Sequence, residues 1–69
     1  MPVKVYPYKM YDVDNDKVVA SNYLATPDAI KLFNGTITDR SDFYYVNLDV
    51  LDEHGRIDKD KLCEYLKNN

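Results

Sequence analysis

The sequence predicts a small α+β domain in which two short helices pack on an antiparallel or mixed sheet. Three observations carry this expectation. Val3 to Val13 and Phe43 to Val50 alternate side chains with the two-residue period of a strand, and Val18 to Leu24 follows the first of them across an Asp- and Asn-rich turn. Thr26 to Phe33 and Asp58 to Leu66 carry apolar groups at helical spacing behind a capping residue. Joined in order, the elements run ββαββα, which is the pattern of helices laid against a sheet.

The first strand alternates Val3, Val5, Tyr11 and Val13 with Lys4, Tyr6, Tyr8, Met10 and Asp12, residue types that favour extended backbone. Both faces carry apolar groups, so either the sheet is covered on both sides or one face meets a partner. Pro7 has no amide hydrogen to give a ladder, which marks an edge strand or a strand with a local break. Asp14-Asn15-Asp16-Lys17 is a turn by composition, and Val18 to Leu24 returns as the second strand of a hairpin.

Thr26 is the expected N-cap of the first helix, with Pro27 at its first position and Asp28 near the positive end of its dipole. Ala29, Ile30 and Phe33 form its apolar face, and Asn34-Gly35 ends it with Gly in the left-handed cap. Thr36 to Thr38 is a short strand, Asp39 to Asp42 a polar connection, and Phe43 to Val50 a strand. Leu51 to Gly55 is a turn. Asp58 caps the last helix, whose stripe is Leu62, Cys63, Tyr65 and Leu66.

With 69 residues, the chain is expected to form a single domain over residues 1–69, burying only about 60% of its unfolded surface. Apolar residues at 45% and charged residues at 30% exclude wholesale disorder. The net charge of −3 falls entirely in the second half, where five basic groups face eight acidic ones. No basic face of the kind that binds phosphate is visible, so no nucleic-acid partner is expected. No apolar run reaches membrane-spanning length and no signal-peptide core is present, so no membrane association and a cytoplasmic location are expected. Cys63 is the lone cysteine, which excludes an internal disulfide and a Cys-based zinc site. Asn34-Gly35-Thr36 matches a glycosylation sequon, read as coincidental without a secretory signal.

Three chemistries are worth weighing. Asp12, Asp14 and Asp16 fall on positions 1, 3 and 5 of a calcium loop, where oxygen ligands would suit a hard cation. Lys17 stands where that loop wants Gly and Tyr23 where it wants Glu, so a hairpin turn is the plainer account. A second, weaker match has Asp52, Gly55 and Asp58 in register but Val50 and Lys61 at its ends. A Cys-dependent enzyme or redox sensor would need a base beside Cys63. His54, the lone histidine, lies in a polar turn, and Cys63 is expected to be a small buried group on its helix. Tyr6, Tyr8 and Tyr45 form the candidate partner-binding set, because tyrosine offers a broad apolar body with a polar tip. Base stacking on them would call for more basic neighbours than Lys4 and Lys9.

The run K-V-Y-x-Y-K-M-Y-D from Lys4 to Asp12, Ser21, the helix start Ala25-Thr26 followed by Ala29-Ile30, and Leu51-Asp52 with Gly55 resemble a set of short uncharacterised bacterial proteins, a domain of unknown function. The resemblance covers the first half of the chain and the later turn. It implies a helix start at Thr26, Ala29 and Ile30, and no activity, cofactor or catalytic residue. The expectation is a non-catalytic protein-interaction or self-associating module with no cofactor. The alternatives are an acidic-turn calcium-binding protein and a Cys63 enzyme or redox sensor.

Overall fold

Strand β1 (Pro2–Asp12) is paired along nearly its whole length, and everything else is placed by that pairing. The computed structural model describes residues 2–67. Strand β2 (Lys17–Ala25) lies beside β1 from Tyr6↔Ala25 to Asp12↔Lys17. Strand β3 (Thr36–Ile37) pairs with β1 at Tyr8 and Lys9, and β4 (Tyr44–Asn47) pairs with it from Pro2 to Val5. Strand β5 (Arg56–Asp58) joins β2 through Tyr23↔Asp58, Leu24↔Ile57 and Ala25↔Arg56. All four pairings are antiparallel. Helix α1 (Pro27–Leu32) follows β2, and helix α2 (Lys59–Lys67) follows β5.

The α+β class holds, with five strands and two helices among the described residues. The order is ββαβββα rather than ββαββα. The strand expected over Phe43–Val50 is found over Tyr44–Asn47, which pairs with Pro2–Val5. At the end of that stretch the Asn47 amide donates to the Tyr65 hydroxyl at 3.3 Å, and Leu48–Val50 closes into a single 3-10 turn. Arg56–Asp58, three residues long and running straight into a helix cap, is too short to show a period.

Pro7 produces the local break and not an edge: β1 is the strand flanked by both β2 and β3. Between Pro7↔Leu24 and Lys9↔Ala20 the register slips, so Tyr8 alone stands opposite Ser21, Asn22 and Tyr23. This bulge lets a residue without an amide hydrogen sit inside a sheet. The Ser21 hydroxyl oxygen accepts from the Tyr23 amide at 3.1 Å within it, and the Pro7 carbonyl accepts from the Thr38 amide and hydroxyl.

Two apolar clusters form, one on each face of the sheet. Val5, Leu24, Val46, Ile57 and Leu62 pack together with Val3, Tyr44 and Tyr65 beside them. Tyr8, Ala25, Ala29 and Ile30 pack with Tyr6, Tyr23, Phe33 and Ile37. Leu24 and Ala25 are chain neighbours, as are Val5 and Tyr6, so strand alternation sends the two clusters to opposite sides. The first is roofed by α2 and the second by α1. Burying side chains as fully as Val5, Val46 and Ile57 stabilises by about 1.5–3 kcal/mol each. The two-sided apolar pattern of β1 is thus absorbed by the chain itself from Val3 to Tyr8.

Both helix starts are as expected. The Thr26 hydroxyl oxygen accepts from the Ala29 amide at 3.3 Å, and the Asp58 carboxylate accepts from the Asp60 amide at 2.8 Å. The end of α1 differs in one residue. Asn34, with φ of 59°, takes the left-handed position, and Gly35 does not. The amides of Asn34 and Gly35 donate to the carbonyls of Lys31 and Ile30, closing a Schellman motif. Gly35 is required for a different reason. A Cβ there would stand 3.2 Å from Tyr8 Cδ2, 3.3 Å from Ile30 Cγ2 and 3.3 Å from the Lys9 carbonyl oxygen. Gly55 does have positive φ (77°), and its carbonyl accepts from the Thr26 amide at 3.2 Å.

Candidate functional site

The register of β1 against β4 builds the most distinctive surface. Lys4 lies directly opposite Tyr45 and Val5 opposite Tyr44. Val5 and Tyr44 point into the α2-side cluster, so alternation turns Lys4, Tyr6, Phe43 and Tyr45 to the other face, where Tyr6 borders the α1-side cluster and the other three continue outward from it. The rings of Tyr6 and Phe43 lie 5.8 Å apart, tilted by 48°. Those of Phe43 and Tyr45 lie 5.7 Å apart at 87°, edge to face. Lys4 Nζ sits 4.6 Å from the Phe43 ring centre and 5.8 Å from that of Tyr45.

Each contact is of a favourable type. Edge-to-face ring pairs contribute about 0.5–1.5 kcal/mol beyond area burial, and an exposed cation over a ring about 0.5–1 kcal/mol. Together they hold three rings and one ammonium in a fixed row on a sheet. Tyr45 is 56% exposed, Tyr6 and Phe43 are half-buried, and Lys4 is exposed.

Of the three tyrosines expected to meet a partner, Tyr6 and Tyr45 are brought to this surface, linked through Phe43. Tyr8 is not: it is 2% exposed, packed 6.1 Å from the Phe33 ring and under α1. Its place at the bulge, where Gly35 makes room for its ring, makes it a core residue. Lys4 and Phe43 join the site without having been singled out. Phe43 and Tyr45 do share a side in the alternation of their strand, but what makes them neighbours of Lys4 and Tyr6 is the pairing of β4 with the first half of β1.

The acidic stretch is the hairpin turn. One Asp12 carboxylate oxygen accepts from the amides of Asp14 and Asn15 at 3.0 and 3.4 Å, and the other from the Asn15 side-chain amide at 2.7 Å. That Asn15 side chain is the largest reason the Asp12 carboxyl sits below its ordinary pKa. Asp16, with φ of 51°, accepts from the Tyr11 hydroxyl. The oxygens that would face a cation at Asp12 therefore serve the turn's own donors. No group of three or more His, Cys, Asp or Glu side chains among the described residues is placed to hold a metal ion.

Asp52 works in the same manner in the second acidic turn. It accepts from the His54 and Arg56 amides at 2.8 and 2.9 Å and from Arg56 Nε at 3.2 Å. Partial burial works to raise its pKa, but these amides and the Arg56 charge outweigh it and hold the carboxyl below its ordinary value. The Arg56 guanidinium so anchored lies 4.4 Å from the Tyr23 ring centre.

Cys63 is exposed, not buried in the α2 stripe, and Leu66 beside it is also largely open. The helix turns only Leu62 fully inward. Cys63 borders a hollow of about 290 Å³ together with Lys59, Tyr44 and Asp42. His54 is not among the residues lining that hollow; its Nε2 lies 3.5 Å from the Glu53 carboxylate. A larger hollow of about 430 Å³ between α1 and β3 is bordered by Asp28, Lys31 and Arg40, of mixed charge. Among the described residues no helix is long and apolar enough to cross a membrane. No protein-family model, curated protein or solved structure matches the chain.

Proposed function

We propose that this protein is a small non-catalytic module that acts by protein–protein contact through the row Lys4, Tyr6, Phe43 and Tyr45. The observation that carries the reading is the row of ring contacts from Tyr6 through Phe43 to Tyr45, with Tyr6 and Phe43 half-buried and Tyr45 still 56% open. Tyr rings present large amphipathic area at small entropic cost, which is why they concentrate in protein interfaces. Lys4 and Tyr6 stand on β1 and Tyr45 on β4, and Phe43 directly precedes β4, so less ordering remains to be done on binding. Support for the non-catalytic part comes from His54 and Cys63, which engage different neighbours. The lone cysteine is in keeping with a reducing, cytoplasmic setting.

A photo-crosslinking amino acid placed at position 45, in cells that make the protein, tests the proposal. The same group at position 32 is the control, since Leu32 is 83% exposed and belongs to α1 instead. A discrete protein adduct at 45 that is missing at 32 is expected. No adduct at 45, or the same adducts at both positions, would overturn it.

A further inference from the structure

We infer that Asn34-Gly35 is a self-modification site, at which the opening of α1 is converted by deamidation into a permanent change of the main chain. The site lies at the end of α1 and does not depend on the contact role of the aromatic row.

The chain holds one asparagine followed by glycine, the pair in which no side chain on the second residue crowds the attack. A base takes the proton of the Gly35 amide, and its nitrogen forms a bond to Cγ of Asn34. The side-chain nitrogen takes up a proton and leaves as ammonia, which closes a five-membered imide. Water then opens the ring at either carbonyl. Cleavage between the nitrogen and Cγ leaves aspartate. Cleavage at the old backbone carbonyl leaves isoaspartate, with one more carbon in the main chain. Nothing is oxidised or reduced, and water is the only co-reactant.

The structure separates the two partners in this reaction. The electrophile is open, because Asn34 is exposed. The nucleophile is held: the Gly35 amide donates to the Ile30 carbonyl at 2.9 Å within the Schellman motif. An amide so engaged gives up its proton only when the bond opens, as in hydrogen exchange. Such opening is within easy reach, since α1 has six residues and a helix that short does not persist by its own backbone bonds.

The two products have different consequences. Aspartate tolerates the left-handed φ of 59° found at position 34, so that product can close the cap again. Isoaspartate lengthens the main chain next to Gly35, where even a Cβ would stand 3.2 Å from Tyr8 Cδ2. The chain that carries it is left with a looser α1-side cluster.

Ageing of the full chain in mildly alkaline buffer, with mass spectrometry of the peptide around position 34, is the test. Folded wild type is expected to react at least about tenfold more slowly than the same chain in urea, and the Gly35 amide to show the same factor as protection from hydrogen exchange by NMR. Thr26→Ala removes the cap bond to the Ala29 amide and should speed the folded reaction about fivefold, the typical worth of a lost cap. Thr26→Ser should bring the rate back. Equal rates with and without urea, no reaction at position 34 in either state, or a wild-type rate in folded Thr26→Ala would each overturn the inference. If Thr26→Ala loses the wild-type circular dichroism spectrum, wild type in urea below its unfolding midpoint decides. There the deamidation rate and Gly35 exchange should climb together, and a rate that stays flat while exchange climbs would overturn the gating.

Discussion

The end of α1 offers a sharp test, because two adjacent substitutions should shift stability in opposite directions. Asn34 holds the left-handed position with φ of 59°, whereas Gly35 is hemmed in by Tyr8, Ile30 and the Lys9 carbonyl. Replacing Asn34 by Gly removes a left-handed residue with a Cβ, which should leave stability unchanged or raise it by up to about 1 kcal/mol. Gly35→Ala gains about 0.4–1 kcal/mol by restricting the unfolded chain, but pressing a methyl onto three neighbours costs about 1–3 kcal/mol. One of those neighbours is backbone of β1, which cannot swing aside as a side chain can, so a net loss of about 1–2 kcal/mol is expected. Urea unfolding followed by circular dichroism measures both. If Asn34→Gly destabilises as much as Gly35→Ala, then the left-handed residue is Gly35 and the account of this cap is wrong.

Truncating Tyr8 to Ala should remove about 3–5 kcal/mol, comparable to what so small a core supplies in all. Tyr45→Ala should cost only about 0.5–1.5 kcal/mol, the worth of its edge-to-face contact with Phe43, and thermal unfolding of the two variants separates them. Asp52 has a folded pKa below its ordinary 3.8, so it contributes stability above that pH and loses the contribution as pH falls through the folded value. Stability against pH should therefore drop less steeply below 3.8 in Asp52→Asn than in wild type, as read by urea midpoints in acid. Calcium at millimolar concentration should leave the amide shifts of Asp12, Asp14 and Asp16 in place, and a saturable shift there would refute the hairpin-turn account.

The features that could be read from the chain are those fixed within a few residues. Both helix caps, the acidic turn and the return of β2 depend on local hydrogen bonds and period, and Thr26, Asp58 and Asp12 advertise them. What escaped is set by partners far along the chain. Strand β4 is placed by its pairing with Pro2–Val5, and the brief β5 by its pairing with β2 at Tyr23–Ala25. For the site, tyrosine richness pointed at Tyr6, Tyr8 and Tyr45 as one set. Alternation alone could not tell that α1 would roof Tyr8 while leaving Tyr6 half open. Likewise Cys63 sits on a plausible apolar stripe, and only the direction from which the sheet meets α2 decides that Leu62 alone turns fully inward.

The hydrogen bond from the Thr26 amide to the Gly55 carbonyl bears on the order in which the molecule assembles. Helix α1 spans six residues, too few to persist by its own backbone bonds. The loop that finishes its first turn comes 29 residues later in the chain, counting from Thr26 to Gly55. During synthesis α1 is therefore expected to gain its last support from that loop, while the β1–β2 hairpin, closed by a four-residue turn, can form first. Transferred to truncated chains, this means that a fragment ending before Gly55 should show hairpin signals by NMR and no stable α1. The α1-side cluster, whose members lie between Tyr6 and Ile37, thus receives a late tie from a residue that has no side chain.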